Sequence, residues 1–404
     1  MNIIADKITF GGKSLGKIDG KNVFVPFAIP GEKLEVEITE HKKDYDNAVI
    51  KSIIFPSPFR VKAPCPYYQN CGGCNMMHIS PEHQRVLRKQ ILCDIFHQHS
   101  IDISSITQTI YGPDFNYRSR FQLNNGGLSQ KSSNSIVPVT NCLCAEPVIN
   151  EYFSKTNFED RPKGRIHLFG SDYVCSEKKL SVTQEKQLNQ DRLKGNKAKK
   201  IKLKEKHYFA GTVASPENTV TVRLAEKEFC FDVRGFFQSN LFVFEKVLKL
   251  ISENLYGGKN ALDMYCGCGA ISSFIADKYE TVVMVEHNRD ALVYAEQNLR
   301  GHKHISYGMS GASWVKNCSA ECTSLCGAFD ACVIDPPRSG MENEVCDYLC
   351  NSKIPLILSM SCDPSTQARD CAKLIKAGYV LEKMYLLDFY PNTSHIESLA
   401  VLKL

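Results

Sequence analysis

The chain has 404 residues, 43% hydrophobic and 23% charged, with a formal net charge of +5 and 18 cysteines. It is long enough for two or three domains with real cores, and no apolar run reaches membrane-spanning length, which excludes a helical membrane protein. The opening MNIIADKITFGGK has no signal-peptide apolar core. The expected compartment is the cytoplasm, where cysteines serve metals, catalysis or plain burial rather than disulfides.

Residues 1–60 read as all-β, with β-branched runs punctuated by Gly, Pro and Asp-Gly. Five short strands of this kind suit a small oligonucleotide-binding-type barrel. Lys13, Lys17, Lys21, Lys42 and Lys43, interleaved with Phe24 and Tyr45, form either a surface for phosphates and bases or a solvated basic face.

CPYYQNCGGCNMMH then sets Cys65, Cys71 and Cys74 within one tight loop. A fourth thiolate from Cys142 or Cys144, in VPVTNCLCAEPVIN, would complete a metal site. All-sulfur ligation favours an iron–sulfur cluster, with zinc the alternative. Residues 83–99 carry apolar side chains at amphipathic helix spacing, and 116–125 read as a strand with Arg118 and Arg120 on one face. Residues 150–232 are expected to be irregular β structure, within which the Lys-, Asn- and Gln-rich stretch 185–206 reads as a mobile basic tip.

From Val233 the pattern alternates strand and helix, the signature of a doubly wound parallel sheet. DMYCGCGA follows one strand as a glycine-rich turn, and Glu286 ends the next strand, where a carboxylate accepts from the ribose hydroxyls of a nucleoside. With no phosphate-cradling lysine, that pair suits S-adenosylmethionine better than a nucleoside triphosphate. Gln238, in FFQSN, is a candidate amide for the same pocket, or else an exposed turn residue. DPPRSG puts Asp335 and two stiff prolines at a further strand end. Cys318, Cys322 and Cys326, spaced by four, read as a helical stripe rather than a metal site.

The stretch IPLILSMSCDPSTQARD organises this half. Cys362 follows a buried strand, and Pro364 opens a helix whose dipole would favour the thiolate. Farther on, His395 and Glu397 precede a final strand. A thiolate can add to C6 of a uracil and turn C5 into a carbon nucleophile for a sulfonium methyl group. A base must then remove the C5 proton, and His395 and Glu397 are both candidates for that role.

Together, GGKSLGKIDGKNVFVPFAIPGE, CPYYQNCGGC, FFQSN, DMYCGCG, DPPRSG, SCDPSTQARD and FYPNTSHIE closely resemble the RNA uracil-5-methyltransferase family, in the subgroup with an N-terminal TRAM domain and an iron–sulfur cluster. The resemblance implies an α/β chain in three parts. These are a TRAM (OB-like) RNA-binding barrel over 1–60, a central mixed α+β iron–sulfur domain over 61–232, and a Rossmann-like class I methyltransferase domain over 233–404. It implies a 4Fe–4S cluster on Cys65, Cys71, Cys74 and Cys142, an S-adenosylmethionine pocket lined by Gln238, Tyr265, Glu286 and Asp335, Cys362 as nucleophile and Glu397 as proton acceptor. Asp363 departs from the Asn common after the nucleophile. The expected product is a 5-methyluridine in 23S ribosomal RNA, made by a monomer on a base flipped out of folded RNA. The alternatives are a transfer-RNA T-loop uridine and a non-catalytic iron–sulfur RNA-binding protein.

Overall fold

The computed structural model describes residues 1–131, 133–170 and 219–404, together with the backbone of strands Val174–Lys179 and Lys204–Phe209. Except for its last three residues, the stretch 185–206 lies outside the described residues. Among the described residues, no helix is long and apolar enough to cross a membrane.

Residues 2–55 form one six-stranded sheet rather than five strands. Side chains alternate inward and outward, so Val23, Val25, Leu34, Val36 and Ala48 meet in a common core. The Asp19-Gly20 turn has both φ angles positive, 49° and 80°, as a two-residue hairpin loop requires. At Gly16 a Cβ would sit 2.3 Å from the Ile4 carbonyl oxygen, so only glycine lets the two strands pass. Lys21 pairs with Asp46 at 2.6 Å and Lys42 with Glu40 at 2.5 Å, which leaves Lys17 and Lys43 as the more open cations of the candidate basic face. The buried Glu32 carboxylate accepts from Arg60 (Nη2, 2.6 Å), Ile29 N–H and Ser57 N–H, fixing this unit to the chain that follows.

Helix Pro81–His97 opens on a proline, with Glu82 in its first turn. The strand expected over 116–125 begins only at Arg120 and pairs with Arg165–Phe169. Arg118 instead makes single bridges to Ala145 and Asn240, so the two arginines do not share a strand. Helix Pro147–Lys155 covers this pair over Phe121, Leu123, Ile149 and Leu168.

The main sheet has eight strands, in spatial order His304–Tyr307, Tyr279–Val285, Gly258–Met264, Ala331–Ile334, Leu356–Ser361, Glu397–Lys403, Val380–Leu387 and Thr107–Ile110. The first five are parallel, and their central members are buried on both faces, as their unbroken apolar runs require. The strand order turns back on itself between Gly258–Met264 and Ala331–Ile334, the switch point at which such sheets open a ligand crevice. Glu397–Lys403 inserts antiparallel between Leu356–Ser361 and Val380–Leu387. The outermost strand, Thr107–Ile110, belongs to the part of the chain before residue 233 and pairs parallel to Val380–Leu387. Cys322 is buried on helix Ser319–Cys326, so the Cys318, Cys322 and Cys326 stripe is a helical packing feature as read from its spacing.

Candidate active site

A cleft of about 950 Å³ opens at the switch point, and Gln238, Tyr265, Glu286, Asp335, Cys362 and Glu397 all line it. The topology explains the convergence. Tyr265, Glu286, Asp335 and Cys362 each follow, by one residue, a parallel strand that ends at the same edge. Glu397 arrives by the opposite route, because the strand it begins runs antiparallel. Ser361 is in register with Ser398, so one step further sets Cys362 level with Glu397 on neighbouring chains.

At the glycine turn, Glu286 accepts from Gly267 N–H at 3.0 Å and Asn288 N–H at 2.7 Å, which braces the turn against the neighbouring strand. Ser272 also donates to the buried Asp263 beneath that turn. Gly269 has φ +77° and a Cβ there would meet Ala295 at 2.9 Å, so helix Ala270–Ile275 packs closely only with glycine at this corner. Tyr265 is held at φ +65° with its hydroxyl 3.3 Å from the Glu342 carboxylate. A non-glycine residue in that region is strained and persists where its surroundings fix it. Gln238 is 4% exposed, and its Oε1 has no hydrogen-bond partner among the described residues. A buried acceptor left open on a cleft wall fits a ligand that brings an N–H or O–H donor. Phe237, stacked on Phe231 at 4.0 Å, locks the backbone that presents it.

On the other side, Cys362 is half-buried between Ser361 and the start of helix Pro364–Lys376. Asp363 caps that helix, accepting from Ser365 N–H at 2.9 Å and Thr366 N–H at 3.3 Å. An aspartate does this as well as an asparagine, which accounts for its departure from the related motif. The helix start does not bring the thiol down. Burial first, then the charges of Glu397 and Asp335, push it up to about 11, against a smaller pull from Arg338. Burial, helped by Asp335, pushes Glu397 up to about 8. Asp335 itself rises to about 7 through burial by the surrounding protein, although part of its surface still faces the open cleft. Burial, then the cationic Arg338 and Arg118, push the His395 pKa below the usual imidazole value.

Arg338, Arg118, Tyr390 and Glu342 also line this cleft and were not assigned from sequence. The arginine of DPPRSG was visible; its proximity to Cys362, Glu397 and His395 was not, because it depends on strand order.

A second cavity, of about 430 Å³, is lined by Cys65, Cys71, Cys74, Cys142 and Cys144. Cys74 Sγ lies 3.7 Å from Cys144 Sγ. The hydrogen bond to Cys144 and burial drive the Cys142 thiol far up, and burial also raises Cys65 and Cys71. Five thiols on one cavity have the donor chemistry of an iron–sulfur or zinc centre. Among the described residues, however, no group of three or more His, Cys, Asp or Glu side chains is arranged to hold a metal ion. Gly72, Gly73 and Arg118 line both cavities, so a thin wall separates them.

Three family models match the chain: TRAM domain over 3–50, methyltransferase small domain over 245–348, and tRNA (uracil-5-)-methyltransferase over 324–404. A protein of Treponema denticola described as an uncharacterized RNA methyltransferase is 33% identical, covering 98% of this chain and 97% of its own. The 23S rRNA (uracil(1939)-C(5))-methyltransferase RlmD of Shewanella amazonensis is 28% identical over 97% of this chain and 93% of its own. In structure, the Pyrococcus abyssi tRNA (uracil-54, C5)-methyltransferase, solved with S-adenosyl-L-homocysteine, superposes with a TM-score of 0.71 at 20% identity, with 100% of both chains covered. The chain therefore belongs to the RNA uracil-5-methyltransferase family, with an N-terminal TRAM domain and an S-adenosylmethionine-dependent methyltransferase fold.

Proposed function

We propose that this enzyme methylates C5 of one uridine in 23S ribosomal RNA through a covalent adduct between Cys362 and C6. The observation that carries this reading is the register that sets Cys362 level with Glu397 in one cleft that Gln238, Tyr265 and Glu286 also line. Cys362, after loss of its thiol proton, forms the S–C6 bond, and the electron pair moves to C5. C5 then takes the methyl group of a bound sulfonium, and neutral S-adenosylhomocysteine is the product. Glu397 accepts the C5 proton, the S–C6 bond breaks, and the ring double bond returns. Asp335 sits between the two halves of the cleft, and Gln238 and Glu286 hold the cofactor. We assign the barrel to residues 1–60, the RNA-contacting middle part to 61–232 and the methyltransferase domain to 233–404.

The choice of 23S RNA is supported by the named RlmD relatives. A transfer-RNA T-loop uridine is the second reading, favoured by the words of the matched family description and by the archaeal neighbour. Mapping 5-methyluridine in total RNA from a strain lacking the gene separates them. Loss of one ribosomal 5-methyluridine, restored by wild type but not by Cys362→Ala, supports the proposal. Loss confined to the T-loop selects the second reading, and no loss from either RNA refutes both.

We further propose that Cys65, Cys71, Cys74 and Cys142 hold a 4Fe–4S cluster; the donor chemistry of the cavity supports it. Protein purified without oxygen should contain about four iron and four sulfide per chain, and Cys74→Ser should lose most of both. Stoichiometric zinc instead would replace the cluster with a zinc site.

A further inference from the structure

Glu397 is the first residue of its strand. The ladder holds its backbone from Ser398 onward against Leu356–Ser361 and from Glu397 onward against Val380–Leu387, while whatever fixes the preceding turn holds it from the other side. Among the described residues, the hydrogen bonds that grip the back of that turn come from outside the catalytic sheet. Arg88 of helix Pro81–His97 donates to the Tyr390 and Thr393 carbonyls at 3.0 and 3.2 Å. The Tyr117 hydroxyl donates to the Pro391 carbonyl at 2.9 Å. Asn75, directly after Cys74, donates to Ser394 Oγ and accepts from Ser394 N–H, both at 2.8 Å.

Asn392 is the centre of this grip. It is 2% exposed and adopts φ +68°, a conformation that asparagine tolerates better than most side chains. Each of its polar groups is used. Its N–H donates to Gln84 Oε1 at 2.8 Å, and its Oδ1 accepts from Gln84 Nε2 at 3.1 Å. Its carbonyl accepts from Asn75 N–H at 3.1 Å and Met76 N–H at 3.0 Å. Its Nδ2 donates to the Asp114 carbonyl at 2.8 Å and lies 4.0 Å from Cys144 Sγ. One residue, through its side chain and its backbone, thus joins the helix, the cysteine loop and the wall of the cysteine cavity to the turn that leads into Glu397. The opposite face of the same turn presents Tyr390 and His395 to the cleft.

We infer that Asn392 is a positioning residue for the proton-removal step: it clamps the Tyr390–Ser394 turn onto the cysteine-bearing part of the chain and thereby sets the approach of Glu397 to C5. Apart from the register its strand shares with Glu397–Lys403, Cys362 is held by the Asp363 cap and its own strand, elements other than the Tyr390–Ser394 turn. The two halves of the chemistry are therefore separable by mutation. The inference rests on the proposed covalent route.

A 5-fluorouridine-substituted RNA tests it with the full-length protein. Cys362 can add to C6 and C5 can accept the methyl group, but C5 then carries no proton to remove, so the adduct accumulates. Trapping reports everything before the base acts, whereas turnover on ordinary RNA includes the base. Asn392→Gly keeps the positive φ and the backbone bonds but removes the side-chain clasp. Gln84→Leu removes the partner without altering the turn's own residues. Both should lower kcat at least tenfold, while the trapping rate and S-adenosylhomocysteine affinity stay within about twofold of wild type. Unchanged turnover overturns the inference. So does a parallel fall in turnover, trapping and cofactor affinity, which is what a general loss of structure produces. If wild type is not trapped, or Cys362→Ala is trapped equally well, the covalent route itself fails, a result distinct from either.

Discussion

Cys362 and Glu397, the two groups proposed to react, share a cleft that opposes their charged forms. With the Cys362 thiol at about 11 and Glu397 at about 8, the ligand-free site is largely protonated at neutral pH. A sulfonium cation favours both anions, and its neutral product does not. Alkylation of Cys362, followed on its own peptide by mass spectrometry, should therefore shift to lower pH with S-adenosylmethionine bound and stay put with S-adenosylhomocysteine. Equal curves for the two ligands would refute electrostatic priming. Glu397→Gln should lower turnover by about 10²–10⁴, the usual weight of a general base. The same raised carboxyl has a stability consequence. The folded state binds the Glu397 proton more tightly than the unfolded chain, so its contribution is fully present below about 4.5 and is lost as pH rises through about 8. Ligand-free melting temperature should fall across that window, and Glu397→Gln should flatten the fall by roughly 2–4 °C; a parallel pH dependence in the variant would contradict this. At this scale the sequence was informative wherever a residue sits at a strand end. Cys362, Glu286 and Asp335 were legible from apolar runs and their punctuation. The state of the thiol was not, because it depends on burial first and then on the carboxylates facing it across the cleft.

Among the elements, the ends of helices and strands decide most of the site. The Asp363 cap costs the nucleophile nothing and starts helix Pro364–Lys376 directly behind it; Asp363→Ala should destabilise the protein by about 1 kcal/mol, read by denaturant titration. A larger effect belongs to the Arg88–Asp388 pair, 2.8 Å apart and buried on both sides. Asp388→Ala leaves an uncompensated guanidinium beneath the Tyr390–Ser394 turn and should cost about 3–5 kcal/mol. A loss below 1 kcal/mol would mean that water reaches Arg88. Neither partner was assigned from sequence, because 300 positions separate them and each alone reads as an ordinary surface charge. Gln238 is a similar case. Its side chain type suited a pocket, yet only the stacked Phe231 and Phe237 show why it is buried there.

For the molecule as a whole, the alternating pattern after Val233 revealed the doubly wound sheet but not its outer edge. Thr107–Ile110 completes that edge, and Leu87, Ile91 and Phe96 of the preceding helix share a core with Met384, Leu386 and Leu402. Such pairings between distant segments leave no local periodicity to read. A fragment spanning 233–404 would expose this apolar face and an unpaired strand, and should be aggregated or unfolded. The span 61–404, which keeps both, should fold and bind S-adenosylhomocysteine; calorimetry and circular dichroism on the two fragments check this, and a folded 233–404 fragment would show the two parts to be independent.

The insertion of Glu397–Lys403 between two earlier strands also has a consequence for biosynthesis. Leu356–Ser361 and Val380–Leu387 both leave the ribosome before the strand that separates them. Until it emerges, the sheet has a gap between its fifth and seventh positions, flanked by two strand edges that lack backbone partners on that side. Translation order thus delivers Tyr265, Glu286 and Cys362 before Glu397, so the strand that closes the sheet is also the one that brings in the proposed proton acceptor.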